Sequence, residues 1–327
     1  MMRSLRFGVL GDAKIARTQL VPAIQAAGHR VVAVGSRQAQ PAPWAQALDA
    51  AWVDYAGLIQ HPDVDAVYIA LPHHLHAEWS VRALRAGRHV LCEKPMALSM
   101  GEADAVGAAQ AESGCVFLEG YMVRHHPQWQ WLKSLDLGAL RHIQVNFTYD
   151  NRDPNNIRNV ASMGGGALWD IGCYAVFAGH WLKGAPDAWA LRSEVHPEWE
   201  VDIHSRGKLV WGQDGARTEL AFFVSTQTAK QQTVLITGER GWARLDVPFN
   251  PPESTTVLYS SGGLSHEATL KTFESCNAYA NMVHDFAAAV AGSTLPDGCT
   301  MADSRGIMAT LCALQASADR RPAGASI

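Results

Sequence analysis

The sequence predicts an α/β protein of two domains: a doubly wound parallel sheet over residues 1–122, then an α+β domain over residues 123–327 with a mostly antiparallel sheet. Three observations predict it. Strand-like and helix-like segments alternate up to Tyr121, which is the rhythm of right-handed βαβ units. Beyond that point strand-like segments follow one another across short turns, which indicates antiparallel pairing. A chain of 327 residues also exceeds the ~250 at which a single core stops growing.

The first segment, Phe7 to Ala16, is a short apolar strand running into Gly8, Gly11 and Ala13. This G-x-x-G-x-A turn is a shortened dinucleotide fingerprint. Gly11 has no Cβ to hold a pyrophosphate off the backbone, and a helix starting near Ala13 would aim free N–H groups and its positive end at that pyrophosphate. Pro22 predicts a kink or restart in this helix. The second strand, His29 to Val34, ends in Gly35-Ser36-Arg37, where a site preferring NAD usually places Asp or Glu on the ribose hydroxyls. Ser36 can donate to a 2′-phosphate and Arg37 can clamp one, so NADP is favoured and NAD stays possible; an ordinary surface arginine is the alternative.

A helix-like stretch from Pro43 to Ala50, a short Trp52-Val53 strand and a segment around Tyr55 to Gln60 lead to the strand Asp65 to Leu71, which ends at Pro72. His74 to Ala86 is helical, Arg88 to Cys92 is a strand, Ser99 to Glu112 is an alanine-rich helix, and Cys115 to Glu119 closes the series. The apolar run Val90 to Cys92 stops at Glu93-Lys94-Pro95. Charges are rarely buried unless paired or used, and proline ends strand pairing. These charges therefore belong at the strand's carboxyl end, where open α/β sheets bind ligands. A solvated loop is the alternative on this tripeptide alone.

In the second domain, His142 to Tyr149, Gly207 to Trp211, Thr218 to Val224, Thr233 to Thr237 and Ala243 to Val247 alternate as strands, with a short turn at Gly212-Gln-Asp-Gly215. Tyr279, Met282, Val283, Phe286 and Val290 fall at helical spacing, as do Ile307, Met308, Leu311 and Leu314. Both read as packing helices, with Tyr279 early enough in the first to reach a cleft.

A net charge of -4 gives no sign of a nucleic-acid or anionic-membrane partner. The apolar stretch after the basic start is only Phe7 to Leu10, too short for a secretory signal. No run approaches the ~20 apolar residues of a membrane span. Six cysteines without a C-x-x-C pair suit reduced thiols and a cytoplasmic setting. His73, His74 and His76, followed by His125 and His126, raise the question of a metal. H-H-x-H on a strand-to-helix turn does not converge three rings, so no metal is expected and His76 reads better beside a nicotinamide.

Gly164-Gly-Gly-Ala-Leu-Trp-Asp-Ile-Gly-Cys-Tyr174 feeds a helix in which Asp170 and Tyr174, four apart, share one face. If that face looks at Lys94, the three make a proton-handling set, with Tyr174 as acid/base and Lys94 and Asp170 tuning it and orienting a hydroxyl. A helix N-terminal acid beside a core tyrosine is the alternative.

These motifs together resemble the Gfo/Idh/MocA family of NAD(P)-dependent oxidoreductases. The likeness runs from Gly8–Ala16 through Asp65–Pro72, His76, Ala86–Pro95, Glu119–Pro127 and Gly164–Tyr174 to Ile236–Gly241 and the two carboxyl-terminal helices, nearly the whole chain. The resemblance implies a Rossmann domain followed by a domain with a large open sheet whose exposed face commonly forms a dimer, so a homodimer or a dimer of dimers is expected. It implies that Lys94 is the catalytic lysine. The family's Asp-x-Gly-x-His pattern ends here in Tyr174, as in the branch similar to dimeric dihydrodiol dehydrogenases, NADP-dependent xylose dehydrogenases and glucose-fructose oxidoreductase, which places the acid/base role on tyrosine. Asp12, Ala13, Lys14, Ile15, Ser36, Arg37, Leu71, Pro72, His73, His76, Glu93 and Lys94 match cofactor-contacting positions, as do Arg158 and Tyr279; Leu71 departs from the more usual polar residue. The implied activity is hydride transfer between NADP(H) and a secondary alcohol, hemiacetal or carbonyl carbon of a sugar, polyol or cyclic diol. A non-catalytic nucleotide-binding regulator and a glycoside-cleaving enzyme with a tightly held nicotinamide are the alternatives.

Overall fold

The computed structural model describes residues 3–213, 217–296 and 298–323. It forms two compact units, Met1–His125 with Asn277–Arg305, and His126–Cys276 with Gly306–Ile327. A single boundary between 122 and 123 therefore differs from the units observed, because a late segment joins the first unit.

In the first unit β1 (Arg6–Leu10), β2 (Arg30–Gly35), β3 (Ala51–Val53), β4 (Ala66–Ile69), β5 (His89–Cys92) and β6 (Phe117–Glu119) form one sheet in the order β3-β2-β1-β4-β5-β6. Every pair is parallel. The order reverses between β1 and β4, which opens the crevice where such sheets hold ligands. After β1 the chain enters a π-helical turn, Ala16–Leu20, which continues as α1 (Val21–Ala26) with Pro22 in its first turn. The restart expected at Pro22 is thus a change of helix type, with proline where its missing N–H is harmless. Helices α2 (Pro43–Gln46), α3 (Tyr55–Gln60), α4 (His76–Arg85) and α5 (Met100–Ser113) complete the crossovers. The Ser99 hydroxyl accepts the Glu102 N–H while Glu102 accepts the Leu98 N–H, a reciprocal cap that fixes where α5 starts.

The late helix Ala278–Val290 belongs to this unit because Phe286 packs on Phe7 of β1, with ring centroids 5.9 Å apart. Its polar face fixes His125: Asp285 bonds the ring Nδ1 at 2.5 Å and Asn281 donates to the His125 carbonyl at 3.0 Å.

The second unit is a nine-stranded, mixed and mostly antiparallel sheet. Its strands are β7 (Leu140–Asp150), β8 (Ala188–Val195), β9 (Asp202–Trp211), β10 (Thr218–Ser225), β11 (Gln227–Gly238), β12 (Trp242–Leu245), β13 (Thr255–Ser260), β14 (Thr269–Phe273) and β15 (Asp319–Pro322), ordered β14-β13-β12-β11-β7-β10-β9-β8-β15. Only β7/β10 and β8/β15 are parallel. Strands β8, β13, β14 and β15 were not foreseen. The outermost two, β14 and β15, expose nearly every side chain, so backbone pairing rather than an apolar pattern defines them. Of the turn at Gly212–Gly215, Asp214 and Gly215 lie outside the described residues. One sheet face buries Ile143, Val145 and Phe147 of β7. With it pack α6 (Pro127–Ser134) and α7 (Cys173–Lys183), whose Trp129 and Phe177 rings lie 5.1 Å apart. No described helix is long and apolar enough to cross a membrane.

Candidate active site

The first unit carries its chemistry at the carboxyl ends of its strands. Gly11, at φ +102°, donates its N–H to the Gly35 carbonyl at 2.9 Å, and a Cβ added there would sit 2.7 Å from the Ala70 carbonyl oxygen. Only glycine fits that crossing. Gly8 is closed in by Leu58. Asp12 accepts from the Trp44 indole at 2.7 Å, and the carbonyls of Ala13 and Lys14 accept from Arg17 and Thr18, so Ala13, Lys14 and Ile15 lead into the π turn. At the end of β2, Ser36 is buried and its hydroxyl accepts the Gln38 N–H, whereas Arg37 is exposed. Leu71 and His73 are buried after β4, on either side of Pro72.

Glu93-Lys94-Pro95 is held from three sides. From β4, the Tyr68 hydroxyl donates to Glu93 Oε1 at 2.7 Å, and the Ile69 carbonyl accepts the Glu93 N–H at 3.0 Å. From α4, His76 places Nδ1 2.7 Å from the Pro95 carbonyl and Nε2 2.8 Å from the Leu71 carbonyl. From β6, Glu119 Oε1 accepts the Met96 N–H at 2.9 Å. The residues flanking Lys94 are thereby fixed by its neighbouring strands and one helix.

These supports are electrostatically distinct. Burial, then the Glu93 carboxylate, pushes the Tyr68 phenol well above its usual value, so Tyr68 acts as a donor that keeps its proton. Burial also raises Glu119, against the opposing pull of Arg124, Ser304, the Met96 N–H and Lys94. Burial lowers His76 to about 4 although both carbonyls favour its charged form. Carbonyls only accept, so a neutral His76 ring with one N–H satisfies one of its two contacts at a time. Both nitrogens are therefore engaged with the protein backbone, and His76 is a strut between the loops after β4 and β5. Tyr279 lies in this same unit, near enough to Tyr68 to oppose its ionisation.

The second unit holds the other predicted residues. Leu168–Gly172 is a second π-helical turn that runs directly into α7, and such turns recur at functional sites. Its start is anchored by Asp202 of β9, which accepts the Leu168 N–H at 2.9 Å and the Ser205 hydroxyl at 2.5 Å. Gly166, at φ +117°, leaves room for that carboxylate. Asp170 is 3% exposed and accepts on Oδ2 from Arg158 Nε at 3.0 Å and from the Tyr149 hydroxyl at 2.6 Å. Accepting from a guanidinium and a phenol favours the carboxylate form. Tyr174, 5% exposed, packs its ring on Phe147 and Phe249 at 5.6 and 5.1 Å.

Asp170, Arg158 and Tyr174 are thus gathered in one unit, and Lys94, Glu93, His76 and Tyr279 in the other. Four supporting residues were missed by sequence reasoning: Tyr68, Glu119, Tyr149 and Asp202. Glu119 carried the same signal as Glu93, a charge at a strand's carboxyl end, and Tyr149 follows Phe147 at strand alternation. Asp202 carried no such signal. Among the described residues no group of three or more His, Cys, Asp or Glu could hold a metal ion.

Residues 5–121 match the sequence model of an oxidoreductase family with an NAD-binding Rossmann fold, and residues 129–244 match the GFO/IDH/MocA C-terminal domain. The chain belongs to the Gfo/Idh/MocA oxidoreductase family. An uncharacterized oxidoreductase, ORF334, of Rhizobium meliloti is 35% identical, over 98% of each chain. The Gfo/Idh/MocA relative named D-xylose 1-dehydrogenase (NADP(+)) 2 of Haloferax volcanii is 32% identical, over 96% of this chain and 98% of its own. Among solved structures, KijD10, a 3-ketoreductase from Actinomadura kijaniata in complex with NADP and TDP-benzene, superposes with a TM-score of 0.89 at 29% identity, over 97% of this chain and 99% of its own.

Proposed function

We propose that this oxidoreductase transfers a hydride between NADP(H) and a secondary alcohol, hemiacetal or carbonyl carbon of a sugar, polyol or cyclic diol. The observation that carries this reading is Lys94, presented at the carboxyl end of β5 by supports that fix the residues on either side of it. The likeness to an NADP-dependent xylose dehydrogenase and to a ketoreductase holding NADP supports the same chemistry. The residues fit that cofactor: Gly11, at φ +102°, makes the tight turn after β1 at the order reversal, and β2 ends in Ser36-Arg37 with no carboxylate to repel a 2′-phosphate. Bound there, NADP(H) supplies or accepts the hydride.

The protein's own residues handle the oxygen and its proton. Lys94 orients the reacting oxygen and favours its negative form, Tyr174 gives or takes the proton at its phenol, and Asp170 orients a substrate hydroxyl. Glu93 and Arg37 serve the cofactor, and His76 serves it through the backbone that it braces.

The test follows NADPH and NADH absorbance in parallel over aldoses, inositols, trans-dihydrodiols and dTDP-keto sugars. Turnover with NADPH or NADP on one of these classes, abolished in Lys94→Met, is the expected result. NADPH binding without turnover would point instead to a regulator, and product formation with no net change in a retained cofactor to a glycoside-cleaving enzyme.

We further infer a homodimer through the open face of the nine-stranded sheet, where a groove is lined by Gln144, Asn146, Ala190, Lys208, Ala221 and Phe223. A cytoplasmic setting suits six cysteines without a C-x-x-C pair. Light scattering at micromolar protein gives the assembly directly, and a monomer would refute it.

A further inference from the structure

We propose that Tyr149 is a positioning residue for the reaction: with Arg158 it fixes the orientation and the ionised form of the Asp170 carboxylate. The proposal rests on the functional reading above for the role of Asp170, and on geometry for the contact itself.

The strand and the helix are in step. Residues two apart on a strand rise ~6.6 Å, and residues four apart on a helix rise ~6 Å. On β7, Phe147 and Tyr149 are two apart and share a face, and on the π turn and α7, Asp170 and Tyr174 are four apart. The pairs meet one to one, with Phe147 against the Tyr174 ring at 5.6 Å and the Tyr149 hydroxyl on Asp170 Oδ2 at 2.6 Å. One strand therefore sets two members of the expected proton-handling set, an apolar wall for the Tyr174 phenol and a donor for the Asp170 carboxylate.

Both donors converge on one oxygen. Arg158 Nε reaches the same Oδ2 at 3.0 Å, so the rotamer of Asp170 is held from two directions. Tyr149 is suited to donate permanently, because burial, then the Asp170 charge and hydrogen bond, drive its phenol well above the usual range. The groups that bond the carboxylate include Tyr149 from β7 and Arg158 from the 3-10 turn Ile157–Asn159; Asp202 from β9 acts on Tyr149, and Tyr174 follows on the helix that the Asp170 turn runs into. Asp202 is a buried acid that burial pushes up, and its own bonds go to Leu168 and Ser205. Arg158 and Tyr149, both donating to Oδ2, favour the ionised form of Asp170 beside it.

The test uses the full-length protein labelled with [4-13C]aspartate, with the Asp170 resonance assigned through Asp170→Asn. Tyr149→Phe keeps the ring and removes only the donor. Its Asp170 carboxyl resonance is expected to reach the protonated position about one pH unit higher than in the wild type. A midpoint that appears only in the variant is the same result; coincident curves overturn the proposal. A second arm reads kcat/KM against pH with NADP and the best substrate of the sugar panel, where the acid limb moves up by the same amount while KM for NADP is unchanged. An unmoved acid limb, or a loss confined to KM for NADP, overturns the positioning role. A wild-type protein that turns over no substrate sinks the functional reading and leaves the resonance comparison standing.

Discussion

Replacing Gly166 by alanine tests the anchor beneath Asp170. At φ +117° the backbone occupies a region that side chains rarely adopt, which costs roughly 1–3 kcal/mol. The new Cβ would also run into the Asp202 carboxylate. If Asp202 moves away, it strains its bonds to the Leu168 N–H at 2.9 Å and the Ser205 hydroxyl at 2.5 Å, and losing one such bond to a charged group costs about 1.5–3 kcal/mol. The sum is roughly 2.5–6 kcal/mol, a large part of the ~5–15 kcal/mol that holds a domain folded. Gly184 in the same unit separates the two contributions, since it sits at φ +77° with nothing within 4 Å of an added Cβ. In urea unfolding followed by far-UV circular dichroism, Gly166→Ala should lose about 1.5–3 kcal/mol more than Gly184→Ala. That excess should shrink in an Asp202→Ala background, where the obstacle is gone. Equal losses within ~0.5 kcal/mol would refute the account of the anchor.

Tyr68→Phe keeps a fully buried ring and removes the donor to Glu93, so a stability loss of about 1.5–3 kcal/mol is expected in the same urea assay. Lys94→Met should lower kcat at least ~100-fold while NADP affinity, read by fluorescence titration, changes only a few-fold. His76 has a folded value near 4 against an ordinary 6.5, so the unfolded chain binds the extra proton between them. Stability is therefore full above pH ~6.5 and falls by up to roughly 3 kcal/mol as pH drops to about 4, and His76→Asn should flatten that slope. Asp65 is opposed by burial, but hydrogen bonds from the Arg6 side chain and backbone, with the charges of Arg6 and Arg3, outweigh it and hold the carboxyl below its usual value. The pair's contribution is thus present above pH ~4 and lost as pH falls through the lower folded value; stability of Asp65→Asn should change less over that range.

The first sheet was legible because a parallel sheet buried on both faces leaves apolar runs with abrupt polar ends. Ala66–Ile69 and His89–Cys92 each stop at residues that turn out to line strand ends. The core strands of the second sheet were legible for the complementary reason, since Ile143, Val145 and Phe147 are buried in alternation. Edge strands were not, because Asp319–Pro322 pairs through its backbone with side chains that face water. Within the candidate site, the residues proposed to take part in the reaction announced themselves as charges beside proline or glycine. Their supports did not: Tyr68 reads as one more apolar strand residue until its hydroxyl is seen to end on Glu93. Asp202 lies 32 positions from Asp170 in sequence, a separation that no local pattern spans.

The return of Asn277–Arg305 to the first unit has a consequence for how this chain can be made and cut. During synthesis the dinucleotide-binding unit stays without its last helix until the middle of the chain has already emerged, so its completion comes late. A fragment ending at residue 122 would leave Phe7 without Phe286 against it, and one ending at 276 would leave His125 without Asp285. Neither truncation yields a finished nucleotide-binding module, and fusion partners or shuffled domains would have to carry both segments together.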